Sequence, residues 1–133
     1  MTLRQAIYAI LEADAQLHTG AELGSLLGHY SAEPYGLYFL SPPKVPSLPL
    51  VTYFFSAQGE RKPRQLFLNI TAWGDNYEAI LERIYSLLSD TQITATDFSV
   101  KMLKWDWAGP ELFDDDLKCY YQQHRYLCKA WKL

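Results

Sequence analysis

No run of about 18 apolar residues occurs in this chain, so no membrane-spanning helix is predicted. The opening MTLRQAIYAI lacks the apolar core and small-residue cleavage site of a secretory signal, so the chain is expected to be cytoplasmic where it is made. Cysteine is scarce: Cys119 and Cys128 are the two present. Both fall in one predicted long strand, where about 3.3 Å per residue sets them roughly 30 Å apart, too far for a disulfide. Two free thiols packed as small apolar groups are expected. Histidine is sparse as well. His18, His29 and His124 share no zinc spacing with one another, with the cysteines or with a carboxylate. They read as surface or hydrogen-bonded side chains, and nothing points to a catalytic pair such as Cys128 with His29.

Clustered glycine is missing too. A phosphate loop needs several glycines so that backbone N–H groups converge on the anion. The strand–turn–helix segment AWGDNYE has Gly74 alone, followed by Asp75 and Glu78. Those carboxylates would repel a phosphate, so this junction reads as a scaffold joint. Charge of one sign is also modest, with a net of -3 from 12 Lys and Arg against 15 Asp and Glu. That argues against a protein gripping nucleic acid through a broad basic face. There is no internal repeat and no low-complexity tract.

Aromatic residues are abundant, at 15% of the chain with ten tyrosines and four tryptophans. They fill cores and also enrich subunit contacts. The length of 133 residues suits a single domain over 1–133.

Thr2 followed by Gln5 forms a capping-box pattern. Leu3, Ala6, Ile7, Ile10 and Leu11 then recur at helical spacing, which predicts a helix ending near Leu17. A shorter helical turn over Thr19–Leu27 is expected, stopped by Gly28. Five prolines between Pro34 and Pro49 make that segment extended or irregular. It reads as a surface loop or as an arm to a neighbouring subunit. Leu50–Ser56 and Arg64–Trp73 read as a hairpin of two strands around AQGERKP. A second helix is expected from Asp75, with Glu78 completing a capping box and Tyr77, Ile80, Leu81, Ile84 and Leu88 as its apolar stripe. Thr96–Trp107 and Leu117–Trp131 read as third and fourth strands around the loop AGPELFDDD. The alternation of the last strand switches between Tyr121 and Tyr126, which suggests a bulge or strong twist near Gln122–His124. The fold class is therefore α+β: an antiparallel sheet of about four strands with two helices packed on one face.

Three features stand out as candidate contacts. Arg61, Lys62 and Arg64 sit at the first hairpin tip, as a solvated turn or as a contact with DNA or an acidic protein. Glu111, Asp114, Asp115 and Asp116 share one loop, without the continuing ligand pattern of a calcium loop. It reads as solvated or as an electrostatic interface, and the two clusters could pair between identical subunits. Trp105 and Trp107, two apart on a strand, should share a face. They read as core, as a subunit contact, or as a stacking platform for sugars or bases.

With these elements in order, the sequence resembles the tail-completion proteins of long-tailed bacteriophages and prophages, the tail terminators and tail-to-head joining proteins. LRQAIYAILEADAQL is similar to the family's opening helix. LLGHY resembles its small-then-aromatic segment, and LPLVTY its proline before the first long strand. LFLNITAWGDNYEAILERIYSLL is the strongest match, and YYQQHRYLCKAW resembles the closing strand. The likeness spans nearly the whole chain, while the proline stretch Ser41–Pro49 is longer than the family pattern.

The resemblance implies a non-enzymatic virion protein without cofactor or metal. Such proteins form rings, commonly hexamers, that cap the tail tube at its head-proximal end. Implied partners are other copies of the chain, the tail-tube protein and a head-completion or connector protein. DNA would pass through the ring without specific binding, and no membrane is involved. Some of Glu111, Asp114, Asp115 and Asp116 would then face the channel, where negative charge lets DNA slide, or the partner ring. The alternatives are another neck or minor tail adaptor and, in a different class, a small-molecule-binding α+β domain.

Overall fold

The computed structural model describes residues 1–17, 25–28, 30, 33–44, 47–58 and 65–132. Helix α1 (Leu3–Glu12) starts as read. The Thr2 hydroxyl accepts the Gln5 N–H at 3.3 Å, and the Gln5 side chain accepts the Thr2 N–H at 2.9 Å. Leu3, Ala6, Ile7 and Leu11 form its buried face. The helix stops at Glu12, short of Leu17. Asp14 explains the early end: its carboxylate accepts the Leu17 N–H at 2.9 Å, and a side chain that binds local backbone competes with helix. Leu17 is nonetheless fully buried. The turn expected over Thr19–Leu27 lies mostly outside the described residues, as do His18 and His29.

Helix α2 (Tyr77–Leu88) buries the expected stripe of Tyr77, Ile80, Leu81, Ile84 and Leu88. Its start differs from the reading. Asn76, not Asp75, is the N-cap, and no side chain caps the helix. Glu78 therefore falls at the second helical position, one short of a capping box. The preceding turn sets this offset. Gly74 has φ +129°, and a Cβ there would lie 2.8 Å from Pro49 Cβ. Its N–H donates to the Tyr120 carbonyl at 2.9 Å, which holds the turn onto the sheet. Asn76 instead donates its side-chain amide to the Leu26 carbonyl at 3.1 Å. Arg83 of α2 grips Asp14 in a two-pronged ion pair, Nε to Oδ2 at 2.9 Å and Nη2 to Oδ1 at 2.6 Å.

The sheet has seven described strands, not four: β1 (Leu37–Phe39), β2 (Leu50–Gln58), β3 (Gln65–Trp73), β4 (Ile93–Thr94), β5 (Phe98–Ala108), β6 (Leu112–Asp114) and β7 (Cys119–Lys132). Their order is β1-β2-β3-β7-β5-β4, with β6 beside the start of β7. The sheet is mixed, because β1 runs parallel to β2. The three unforeseen strands are two or three residues long, too short to show a period. β7 itself has no bulge at Gln122–His124. The β3–β7 register runs unbroken from Trp73↔Tyr121 to Gln65↔Lys129. The shifts lie on β5, between Val100 and Met102 and between Trp105 and Trp107.

One sheet face, with Leu68, Ile70, Ala72, Tyr126 and Cys128, joins the helices in the core. The sheet curls around them into a half-barrel. Helix α1 touches both β1 and β4, the strands at opposite ends of the order. Arg4 lies 3.8 Å from the Phe39 ring centre on the β1 side. On the other side the Leu3 N–H donates to Asp97 at 2.8 Å, and the Thr96 N–H to the Met1 carbonyl at 2.9 Å. The opposite face of the sheet carries buried Thr52, Phe67, Asn69 and Thr71. Asn69 and Thr52 are paired there: Gln123 donates to Asn69 at 2.9 Å, Asn69 to Ser56 at 3.0 Å, and Trp73 to Thr52 at 3.2 Å.

Leu68 sits in a central strand with no exposed surface. Leu68→Ala should cost about 2–5 kcal/mol through lost burial and a residual cavity, read from urea unfolding. The Arg83 guanidinium holds the Asp14 carboxyl below its usual range, with the Leu17 N–H adding to the effect. Its folded pKa is depressed, so its stabilisation is complete above the unfolded value of about 3.9 and is lost as pH falls through the folded one. The advantage of the native chain over Asp14→Asn in urea midpoint should be present at neutral pH and shrink on acidification below that value.

Candidate functional site

The hairpin of β5, β6 and β7 carries most of the exposed large apolar side chains among the described residues. Trp105, Trp107, Leu112, Phe113 and Tyr120 are each between 41% and 52% exposed. The two tryptophans do not share a face. Trp105 pairs with Tyr126 and Trp107 with Arg125, adjacent positions whose side chains point to opposite sides of the sheet. The extra residue at Asp106 makes this bulge and turns Trp107 outward.

On the helix side, Trp105 meets His124 edge-on with centres 6.1 Å apart. Leu81, Glu82, Tyr85 and Ser86 of α2 complete a groove of about 590 Å³ with them. Burial pushes the His124 imidazole below its usual value, and its Nδ1 is buried without a hydrogen-bond partner. On the other side, Arg125 donates to Asp106 at 2.7 Å. Its guanidinium lies 4.6 Å from the Phe67 ring centre and 5.5 Å from that of Trp107. Trp107 is thus part of a cation–π stack on the face away from the helices.

The acidic loop is divided in its duties. Glu111, together with Glu78, lies beside the Tyr77 hydroxyl and raises its pKa, with burial adding to the effect. Asp114 accepts the N–H groups of Asp116 at 2.9 Å and Leu117 at 2.8 Å and so builds the turn. Asp115 and Asp116 are exposed. Next to them Phe113 and Tyr120 pack edge to face with centres 4.9 Å apart. Over 111–118 four carboxylates face one lysine, a formal -3 that equals the net charge of the whole chain. Arg61, Lys62 and Arg64 lie outside the described residues.

A second charged region was missed in the sequence. Lys101, Lys104 and Lys129 are all exposed at the far end of the same hairpin. They sit on two strands, so no local run announces them. Lys104 lies opposite Leu127, and Lys129 opposite Met102. The alternation of lysine with apolar residues across the pair was the available signal.

Cys119 and Cys128 are buried, unbridged, and on opposite faces. Burial pushes the Cys128 thiol up to about 12, and burial followed by Asp114 and Asp75 raises that of Cys119. Neither is poised as a nucleophile. No group of three metal-ligating side chains occurs among the described residues. A groove of about 600 Å³ between α1 and β1 includes Arg4, Tyr8, Phe39 and Tyr53. Arg4 is stacked on Phe39 there, and burial, then Glu33 and Glu12, push the Tyr8 hydroxyl up to about 12.

No protein-family model and no curated protein matches this sequence. A solved structure does, a chain from the virion of a native gene transfer agent particle. The TM-score is 0.69, covering 99% of this chain and 96% of that one. This is a likeness of fold. At 15% identity it carries the architecture from end to end, with no residue roles.

The His124 environment makes a pH prediction. Its folded pKa is depressed, so stability is full above the unfolded value of about 6.5 and falls as pH drops through the folded one. The native chain should lose urea resistance between pH 7 and pH 5 relative to His124→Gln, which lacks that titration.

Proposed function

We propose that this chain is a structural protein of a phage-like virion. It forms a ring of identical subunits, a hexamer in the particle, that closes the head-proximal end of the tail tube and joins it to the head. The near full-length fold likeness to a gene transfer agent virion chain is the observation that carries this reading. The exposed aromatic hairpin supports it, since an assembly protein needs apolar surface to bury on its neighbours. The reading is non-enzymatic and needs no cofactor or metal.

Its partners on this reading are further copies of the chain, the tail-tube protein and a head-completion or connector protein. DNA passes through without specific contact. Trp105 and Trp107 face separate neighbours because the bulge sets them on opposite sides. Arg61, Lys62, Arg64 and the acidic loop supply charged contacts between subunits. Exposed Phe113 and Tyr120 beside Asp115 and Asp116 favour a protein contact over a bare channel wall, because a surface that DNA slides past has no use for two paired rings.

Light scattering and negative-stain imaging of the purified protein, alone and with tail tubes, test the reading. The expected result is a ring of several subunits, with density added at one end of each tube. A chain that stays monomeric and leaves tube ends unchanged would overturn it.

A further inference from the structure

The hairpin that carries the aromatic patch is electrically polarised. One end, residues 111–118, holds a formal -3 beside the apolar pair Phe113 and Tyr120. The other end holds exposed Lys101, Lys104 and Lys129. Between them Arg125 and Asp106 neutralise each other in an ion pair at 2.7 Å. At about 3.3 Å per residue, the β7 positions Cys119 and Lys129 are roughly 33 Å apart. That is several Debye lengths at physiological salt, so the two ends do not neutralise one another within a chain.

The lysine end also has an apolar centre. Lys104 and Lys129 share the outer face with half-buried Met102 and Leu127, each lysine directly opposite one of them. An apolar pair flanked by lysines matches an apolar pair flanked by carboxylates. Such patches, with an apolar middle and a charged rim of opposite sign, are complementary in both respects. Two acidic ends, or two lysine ends, would repel.

We propose that the acidic aromatic end of this hairpin docks on the lysine end of a second copy of the chain. Both halves of the contact are carried on a single molecule, with charges of opposite sign. Lysine and carboxylate ends too distant to meet within one chain can meet between copies. A contact of unlike ends is heterologous, and repeated around an axis it closes into a ring. The inference rests on the ring reading for its stoichiometry and adds to it the identity and polarity of the subunit contact.

A charge swap tests it. Asp115→Lys with Asp116→Lys reverses one end, and Lys104→Glu with Lys129→Glu reverses the other. All four positions are exposed, and Asp114 is left in place to hold its turn. Each pair should raise the concentration for half-association about tenfold or more, with the far-ultraviolet spectrum and melting unchanged. The chain bearing both reversals should return to within about threefold of the native value, since unlike ends face each other again. Association is read by light scattering on the protein alone, and by counting capped ends when tail tubes are present.

Native-like association by both single-end variants, or no recovery in the combined variant, would overturn the contact. In the first case rings by the native chain would leave the ring reading intact. Two-copy particles that obey the charge swap would instead support the contact and remove the ring. A native chain that neither associates nor caps tubes would remove both.

Discussion

A sheet that curls has to cover its inner face and manage two free edges at once. Here α1 serves both needs. Its buried stripe fills the core, and its first turn reaches across to Asp97 and Thr96 on the β4 side and to Phe39 on the β1 side. The capping box at Thr2 and Gln5 fixes where that turn begins. The Asp14–Arg83 pair then fastens the chain after α1 onto α2. Curl, helix placement and edge protection are thus one constraint. Exposed strand edges invite unwanted pairing, and two short edge strands held beside one helix limit that risk.

The outer face carries a polar layer of its own. Thr52, Asn69 and Thr71 are buried although both helices pack on the other side. Buried polar groups are costly unless paired, and the Gln123–Asn69–Ser56 chain pairs Asn69. Trp73 adds its indole N–H to Thr52 and stacks on Tyr121 with ring centres 4.3 Å apart. The strand–glycine–helix junction thereby gains a definite role. Trp73 anchors the end of β3 to two neighbouring strands, and Gly74 passes under Pro49, where a side chain has no room.

Helices and long strands were legible in the sequence because period is a property of many residues. The stripe of α2 appears at every position read for it, and β2, β3, β5 and β7 overlap the four strands read from composition and pattern. Features of one to three residues were not legible. β1 lies among prolines, and β6 lies inside what reads as a polar loop. The extra residue at Asp106 is invisible to a rule of alternation, yet it decides which way Trp107 points. The capping box at Asp75 failed for a similar reason, since a shift of one residue moves Glu78 out of range. Of the candidate contacts, the acidic loop was found because its charges are consecutive. The lysine end was not, because antiparallel pairing brings together residues that are far apart in sequence.

That last difference bears on what the molecule can do. The remainder of the chain outside 111–118 is formally neutral, so the protein's net charge resides on one tip of one hairpin. A charge so placed gives the molecule a direction. It biases encounters with a partner before any apolar contact forms, and it penalises the inverted approach. The aromatic pair beside it then supplies the area that charge alone cannot, since exposed ion pairs contribute little by themselves. Assembly into a closed particle requires both properties: orientation, so that each copy adds in the same sense, and burial, so that the contact persists. The bulge at Asp106 and the Asp106–Arg125 pair keep the middle of the hairpin neutral, and by doing so keep its two ends electrically distinct.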